Sequence, residues 1–120
     1  MSPLPMDDDR APIYTVGQVA AMLEVQQAFL RRLDEHAVVR PARSSGGQRR
    51  YSRVEITLVQ HVVHLADEGM TLAAIRRVLD LERRVARLEA ERDAARRERD
   101  AALDERNAAL AQLARLLRGR

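Results

Sequence analysis

The sequence predicts a mainly α-helical protein: a small domain of short helices interrupted by a hairpin, followed by one long C-terminal helix. Two capping boxes, Thr15 with Gln18 and Ser52 with Glu55, each open a run of apolar residues at helical spacing. Pro41 and the pair Gly46–Gly47 fall between those runs and mark a break with a tight turn. No Pro or Gly occurs from Thr71 to Leu117, so nothing there stops a helix.

The elements follow in order. Residues 1–12 hold three Pro and an acid triplet with no apolar period, which predicts a disordered tail. Behind Thr15, the positions Val16, Val19, Ala20 and Leu23 predict a helix over 16–23. A short break at Glu24–Val25 leads into residues 26–37, where Phe29, Leu30 and Leu33 form an apolar stripe and Arg31 and Arg32 lie on other faces. Two short helices joined by a tight turn, the second one basic, form a helix-turn-helix. Strands are expected at roughly 39–43 and 48–51, a two-stranded wing with Arg43, Gln48, Arg49 and Arg50 about its tip. Ser52 caps a third helix running to Glu68, and Gly69 stops it. Thr71 caps the next, with Leu72, Ile75, Val78 and Leu79 as its buried face. The expected organisation is a tail over 1–12, a winged helix-turn-helix domain over 13–80 and a coiled-coil helix over 81–118.

Composition narrows the function. The chain has 120 residues and no Cys, which removes disulfides, thiolate metal sites and thiol catalysis. There are three aromatics (Tyr14, Phe29, Tyr51), no apolar run long enough to span a bilayer and nothing like a signal peptide, so a cytoplasmic protein is expected. No nucleophile–base constellation, phosphate loop or paired acid site is visible, so no enzyme is expected. His61 and His64 stand three apart near Asp67 and Glu68, but a converging ligand set is not evident; they read as surface or interface histidines, and no metal or other cofactor is expected. His36, at the end of the second helix, suits the helix dipole there.

The formal charge of +3 conceals an uneven distribution. All 21 basic residues are Arg. Residues 26–53 carry seven Arg against Asp34 and Glu35 alone, a local +5, whereas 81–120 mixes eleven Arg with eight acids. The first pattern reads as a nucleic-acid face and the second as a solvated helix.

The segments YTVGQVA (14–20), LRRLDE (30–35), Pro41 and GGQRRYS (46–52) resemble the MerR family of winged-helix transcription regulators, across roughly residues 13–80. The wing motif is the most specific of them. DEGMTLAAIRRVLDLE (67–82) is most similar to the heat-shock repressor, HspR-like, branch. The chain departs from the family pattern at Glu24 and Ala37, where Gly is usual, at Phe29 in place of Thr, and at Leu33 in place of an aromatic.

The expected site follows from helix and wing chemistry. Gln26, Gln27, Arg31 and Arg32 would face the major groove, where Gln suits adenine and Arg suits guanine. Arg43, Gln48, Arg49 and Arg50 would lie along phosphates or in the minor groove, with Thr15 at the neighbouring helix start. Tyr51 has two possible roles: a phosphate contact, as the resemblance implies for wing tyrosines, or a core tyrosine beneath the wing.

The C-terminal segment carries two leucine ladders. Val78, Leu81, Val85 and Leu88 fit one heptad seam, and Leu103, Leu110 and Leu117 fit another, with Leu113 and Leu116 beside it. Leu88 to Leu103 is fifteen residues, one more than two heptads, so a skip or local unwinding is expected between them. Asn107 either sits in the seam and fixes register or is exposed. So charged a helix buries little unless it pairs, which predicts a homodimer through Val78, Leu81, Val85, Leu88, Leu103, Leu110, Leu113 and Leu117. The resemblance implies antiparallel pairing over at least the first half.

The expected function is a DNA-binding transcription regulator, more a repressor than an activator. It would bind an inverted repeat of double-stranded DNA as a homodimer and be associated with the nucleoid. The HspR-like segment implies chaperone genes as targets and a DnaK-type chaperone as co-regulator. No small-molecule effector domain is expected. The rival is a coiled-coil adaptor that keeps the fold without specific DNA binding.

Overall fold

The computed structural model describes residues 8–119. They form β1 (Tyr14–Thr15), α1 (Val16–Leu23), α2 (Gln27–Glu35), β2 (Ala42–Arg43), β3 (Arg49–Tyr51), α3 (Arg53–Asp67) and α4 (Leu72–Arg118). The chain divides into two units, residues 1–80 and 81–120.

Both capping boxes form. Thr15 Oγ1 accepts from Gln18 N–H at 3.1 Å while Gln18 Oε1 accepts from Thr15 N–H at 2.8 Å. Ser52 and Glu55 repeat the arrangement at 3.1 and 2.9 Å. Each box satisfies two backbone donors that the first turn would otherwise leave unpaired. α1 ends on Glu24 in the left-handed region, φ +56°, and the chain after α2 turns through Ala37 at φ +57°. Both are positions where the family pattern carries Gly, and a Cβ there is strained by about 1–2 kcal/mol.

The wing differs from expectation in two ways. Its strands are shorter, 42–43 and 49–51, because Val38 and Val39 turn inward and are buried in the core. A third strand, β1, pairs antiparallel with β3 (Tyr14 opposite Tyr51, Thr15 opposite Arg50), giving the order β1-β3-β2. The sequence hides β1 because two residues are too few to show alternation. The turn is closed by Ser44 N–H to Gln48 O at 2.7 Å, with Gly47 at φ +80° supplying the left-handed residue.

The expected tail is partly structured. Residues 1–7 lie outside the described residues, but Asp9 is tied to α3: its carbonyl accepts from Val54 N–H at 3.0 Å and its carboxylate meets Arg53 at 3.0 Å. An unpaired donor in the first turn of α3 takes the Asp9 carbonyl as its acceptor, which is what orders this stretch.

The core of the first unit gathers Val19, Leu30, Leu33, Tyr51, Val59, Val62, Ile75 and Leu79 from all four helices and the wing. α4 opens on Thr71, whose Oγ1 accepts from Ala74 N–H at 3.1 Å. It then continues without interruption to Arg118, with no Pro or Gly to break it, so of the expected skip or local unwinding between the ladders the helix shows no unwinding. In the second unit Leu81, Val85, Leu88, Leu103, Leu110, Leu113, Leu116 and Leu117 are exposed, while Val78, in the first unit, is half-buried. No described helix is long and apolar enough to cross a membrane.

Candidate nucleic-acid interface

The α1 start, α2 and the wing together enclose an open cleft of about 450 Å³. Its walls are Thr15, Val16, Gly17, Gln27, Arg31, Arg43, Gly47, Gln48, Arg49 and Arg50. Seven of the ten residues expected from the sequence meet there, drawn from three separate segments. Four are Arg, and none of the lining residues is acidic. The N-terminus of α1 adds the positive end of its dipole. Gly17 borders the cleft: a Cβ there would stand 3.4 Å from Gln27 Nε2, an ordinary contact with a flexible side chain.

Within the cleft the donors are held to different degrees. Arg31 Nη2 touches Gln27 Oε1 at 3.4 Å, one turn away on α2. Arg50 donates to the Arg49 carbonyl at 3.1 Å and to Gln48 Oε1 at 3.3 Å. Arg49 and Arg43 instead share one carboxylate oxygen: Asp34 Oδ2 accepts from Arg49 Nε at 2.7 Å and from Arg43 Nη2 at 3.0 Å. Arg43 Nη1 also donates to the Gly47 carbonyl at 3.2 Å, so it bridges α2 to the wing turn.

Three expected residues are placed elsewhere. Gln26 and Arg32 line a separate cleft with Glu24, Phe29, Val63 and Asp67, because α2 begins at Gln27 and Arg32 falls on another face of the helix from Arg31. Tyr51 takes its core role rather than the phosphate contact: it is 1% exposed, and its hydroxyl is buried with no hydrogen-bond partner. Burial pushes its phenol above the ordinary range despite the lowering influence of nearby Arg49. Val16, Gly17, Gly47 and Asp34 are the residues that sequence reasoning missed. Asp34 had a signal, as one of only two acids inside the basic run. Among the described residues no cluster of His, Asp or Glu could hold a metal, and His64 pairs with Glu68 at 3.1 Å.

Residues 14–82 match the family model described as MerR HTH family regulatory protein. The chain is 36% identical over 82 residues to the HspR heat shock protein of Streptomyces coelicolor, covering 68% of this chain and 54% of that one. It is 30% identical over 76 residues to the HTH-type transcriptional regulator GlnR of Bacillus anthracis, covering 62% and 59%. The chain thus spans little more than half the length of these relatives. Among solved structures it resembles HiNmlR, a MerR family regulator lacking the sensor domain and bound to promoter DNA: TM-score 0.54, 22% identity, 64% and 65% coverage. It also resembles MtaN, the N-terminal part of the Bacillus subtilis multidrug transporter activator, with TM-score 0.54, 24% identity, and 82% and 95% coverage. At such identities the structural likeness speaks to the fold.

Proposed function

The chain belongs to the MerR family of helix-turn-helix regulatory proteins, a family of transcription regulators and not of enzymes, and on that premise we propose that it represses transcription by holding an inverted-repeat operator as a homodimer. The observation that carries this reading is the basic cleft, where Gln27 and Arg31 of the helix lie beside Gln48 and Arg50 of the wing. Glutamine and arginine on a helix are base-edge donors, and wing arginines suit phosphate. The HspR relative extends the proposal to chaperone genes, with a DnaK-type chaperone as co-regulator, acting in the cytoplasm on nucleoid DNA.

The dimer would form through the exposed seam of α4. Stepping from Leu88 by four, three, four and four residues gives Arg92, Ala95, Arg99 and Leu103, which absorbs the odd fifteenth residue. The seam then reads the same in both directions about Arg99, with Leu81 opposite Leu117, Val85 opposite Leu113 and Leu88 opposite Leu110. An antiparallel pair of identical helices requires that symmetry, and a parallel in-register pair does not.

The test is selection of duplexes from a random library by the full chain, followed by titration with Arg31→Ala and Arg50→Ala. A discrete inverted repeat should emerge, and each substitution should flatten the salt slope by about 0.9 for every phosphate it leaves without a cationic partner. The adaptor reading draws on Phe29, which lines two adjoining clefts with Arg32 and Ala66. Recovery of no preferred sequence would favour it.

A further inference from the structure

We propose that Asp34 is a positioning residue that sets the wing against the recognition helix, and that Arg43 and Arg49 serve this clamp rather than the DNA backbone. The proposal rests on the DNA-binding reading above and divides labour within the same cleft.

Three observations carry it. First, both arginines converge on a single oxygen, Asp34 Oδ2, at 2.7 and 3.0 Å. Second, the pair with Arg49 is largely withdrawn from water, the two side chains being 18% and 13% exposed. An ion pair so shielded is weakly screened by salt and holds its geometry better than a surface pair. Third, the bonds add a polar tie between the helix and both wing strands, on the outer side of the core that Leu30, Leu33 and Tyr51 share. Asp34 lies on α2, Arg43 on β2 and Arg49 on β3, and Arg43 continues to the Gly47 carbonyl in the turn. One carboxylate thus ties both wing strands to α2, beside the core packing of Tyr51 and the pairing of β3 with β1. Arg31 and Arg50 have only uncharged and sequence-near partners, at 3.1 to 3.4 Å, and those are readily exchanged for phosphate or base.

The consequence is a specificity device. With the clamp closed, helix and wing meet DNA at one spacing, which a matched duplex satisfies and a random one does not. With Asp34 neutralised, two further guanidinium groups are freed for phosphates and the spacing is no longer fixed. Binding to random DNA then strengthens at the expense of discrimination.

The test compares wild type with Asp34→Asn and Asp34→Glu on the duplex selected by the wild type and on a scrambled duplex. For Asp34→Asn the specific-to-random ratio should fall at least about tenfold, and the salt slope on scrambled DNA should steepen by about 1 to 2, since each further phosphate neutralised adds about 0.9. Asp34→Glu should recover much of the ratio. A folded Asp34→Asn protein with unchanged ratio and slope overturns the proposal. A second readout needs no variant and no DNA: in the wild type, the Arg49 side-chain Nε–H should exchange with water more slowly than that of Arg31. Equal, fast exchange would also overturn it. A wild type that selects no duplex defeats the DNA-binding reading, while the exchange measurement still decides whether the clamp exists.

Discussion

In the second unit, arginines pair with the next residue in the chain: Arg92 with Asp93 and Arg99 with Asp100, each at 3.2 Å with both side chains about half exposed or more. In the first unit the ion pairs of Arg43, Arg49 and Arg53 reach acids distant in sequence: Asp34 lies nine residues from Arg43 and fifteen from Arg49, and Asp9 reaches across to Arg53. Apolar residues divide the same way. Ile75 and Leu79 are buried in the first unit, whereas Leu88, Leu110 and Leu117 face solvent in the second. One composition thus supports two kinds of structure. Long-range pairing and burial fix the first unit within one chain, while the second presents a face that a single chain does not cover.

The largest expected effect separates the two kinds of apolar residue. Ile75→Ala removes a side chain that is fully buried, and should destabilise the first unit by about 2–5 kcal/mol. Leu88→Ala should leave that transition in place. Tyr14 and Tyr51 both lie in the first unit, so tyrosine fluorescence during urea unfolding reports on it selectively. Equal losses for the two variants would erase the contrast.

A second effect tests what covers the exposed face. Leu88→Glu places a charge in the seam opposite Leu110 and should shift the chain to monomer in sedimentation, with dimer affinity reduced at least about tenfold. Direction can be read separately, because the sequence contains no Cys. Arg99→Cys should cross-link on oxidation, since the proposed symmetry places residue 99 opposite itself. Val85→Cys should not cross-link, since it faces Leu113. Ready cross-linking through residue 85 means a parallel pair.

How much of this was legible follows the same division. Caps, stops and ladders are local signals, so α1, α3 and the start of α4 could be read from the boxes at Thr15 and Ser52 and from Gly69 and Thr71. The wing's basic character was equally visible. What the sequence concealed was non-local: β1 pairing with β3, Val38 and Val39 turning into the core, Asp9 capping α3, and Asp34 gathering two arginines. None of these leaves a periodic trace, since each depends on residues brought together by the fold. Gln26 and Arg32 lie outside the basic cleft for local reasons: Gln26 precedes the first turn of α2, and Arg32 is turned about 100° around the helix from Arg31.

Two smaller effects probe strain inside the first unit. Ala37→Gly, at φ +57°, should stabilise it by about 1 kcal/mol in urea unfolding, and Glu24→Gly, at φ +56°, by a similar amount. No gain at either would mean that the turn after α2 or α1 relaxes its backbone. Tyr51→Phe deletes a buried hydroxyl that has no partner. It should hold or raise stability, by up to about 1 kcal/mol, with DNA affinity unchanged. A drop in affinity at constant stability would restore the phosphate role.

The smallest expected effect lies in the coil. Asp93→Asn removes the carboxylate that Arg92 touches, and the change should stay within about 0.5 kcal/mol. Each partner is exposed, so water solvates whatever the pair releases, and the two adjacent residues lose little by separating. Asp34→Asn makes the same chemical change where the carboxylate is shielded and holds two guanidinium groups. Its cost should be clearly larger, because both donors then lose their charged acceptor in a partly dry site. Urea unfolding of the two variants side by side measures the difference. A cost for Asp93→Asn matching that for Asp34→Asn would mean that the coil's charges are engaged across a dimer rather than solvated, and the contrast between the units would then hold for the isolated chain alone.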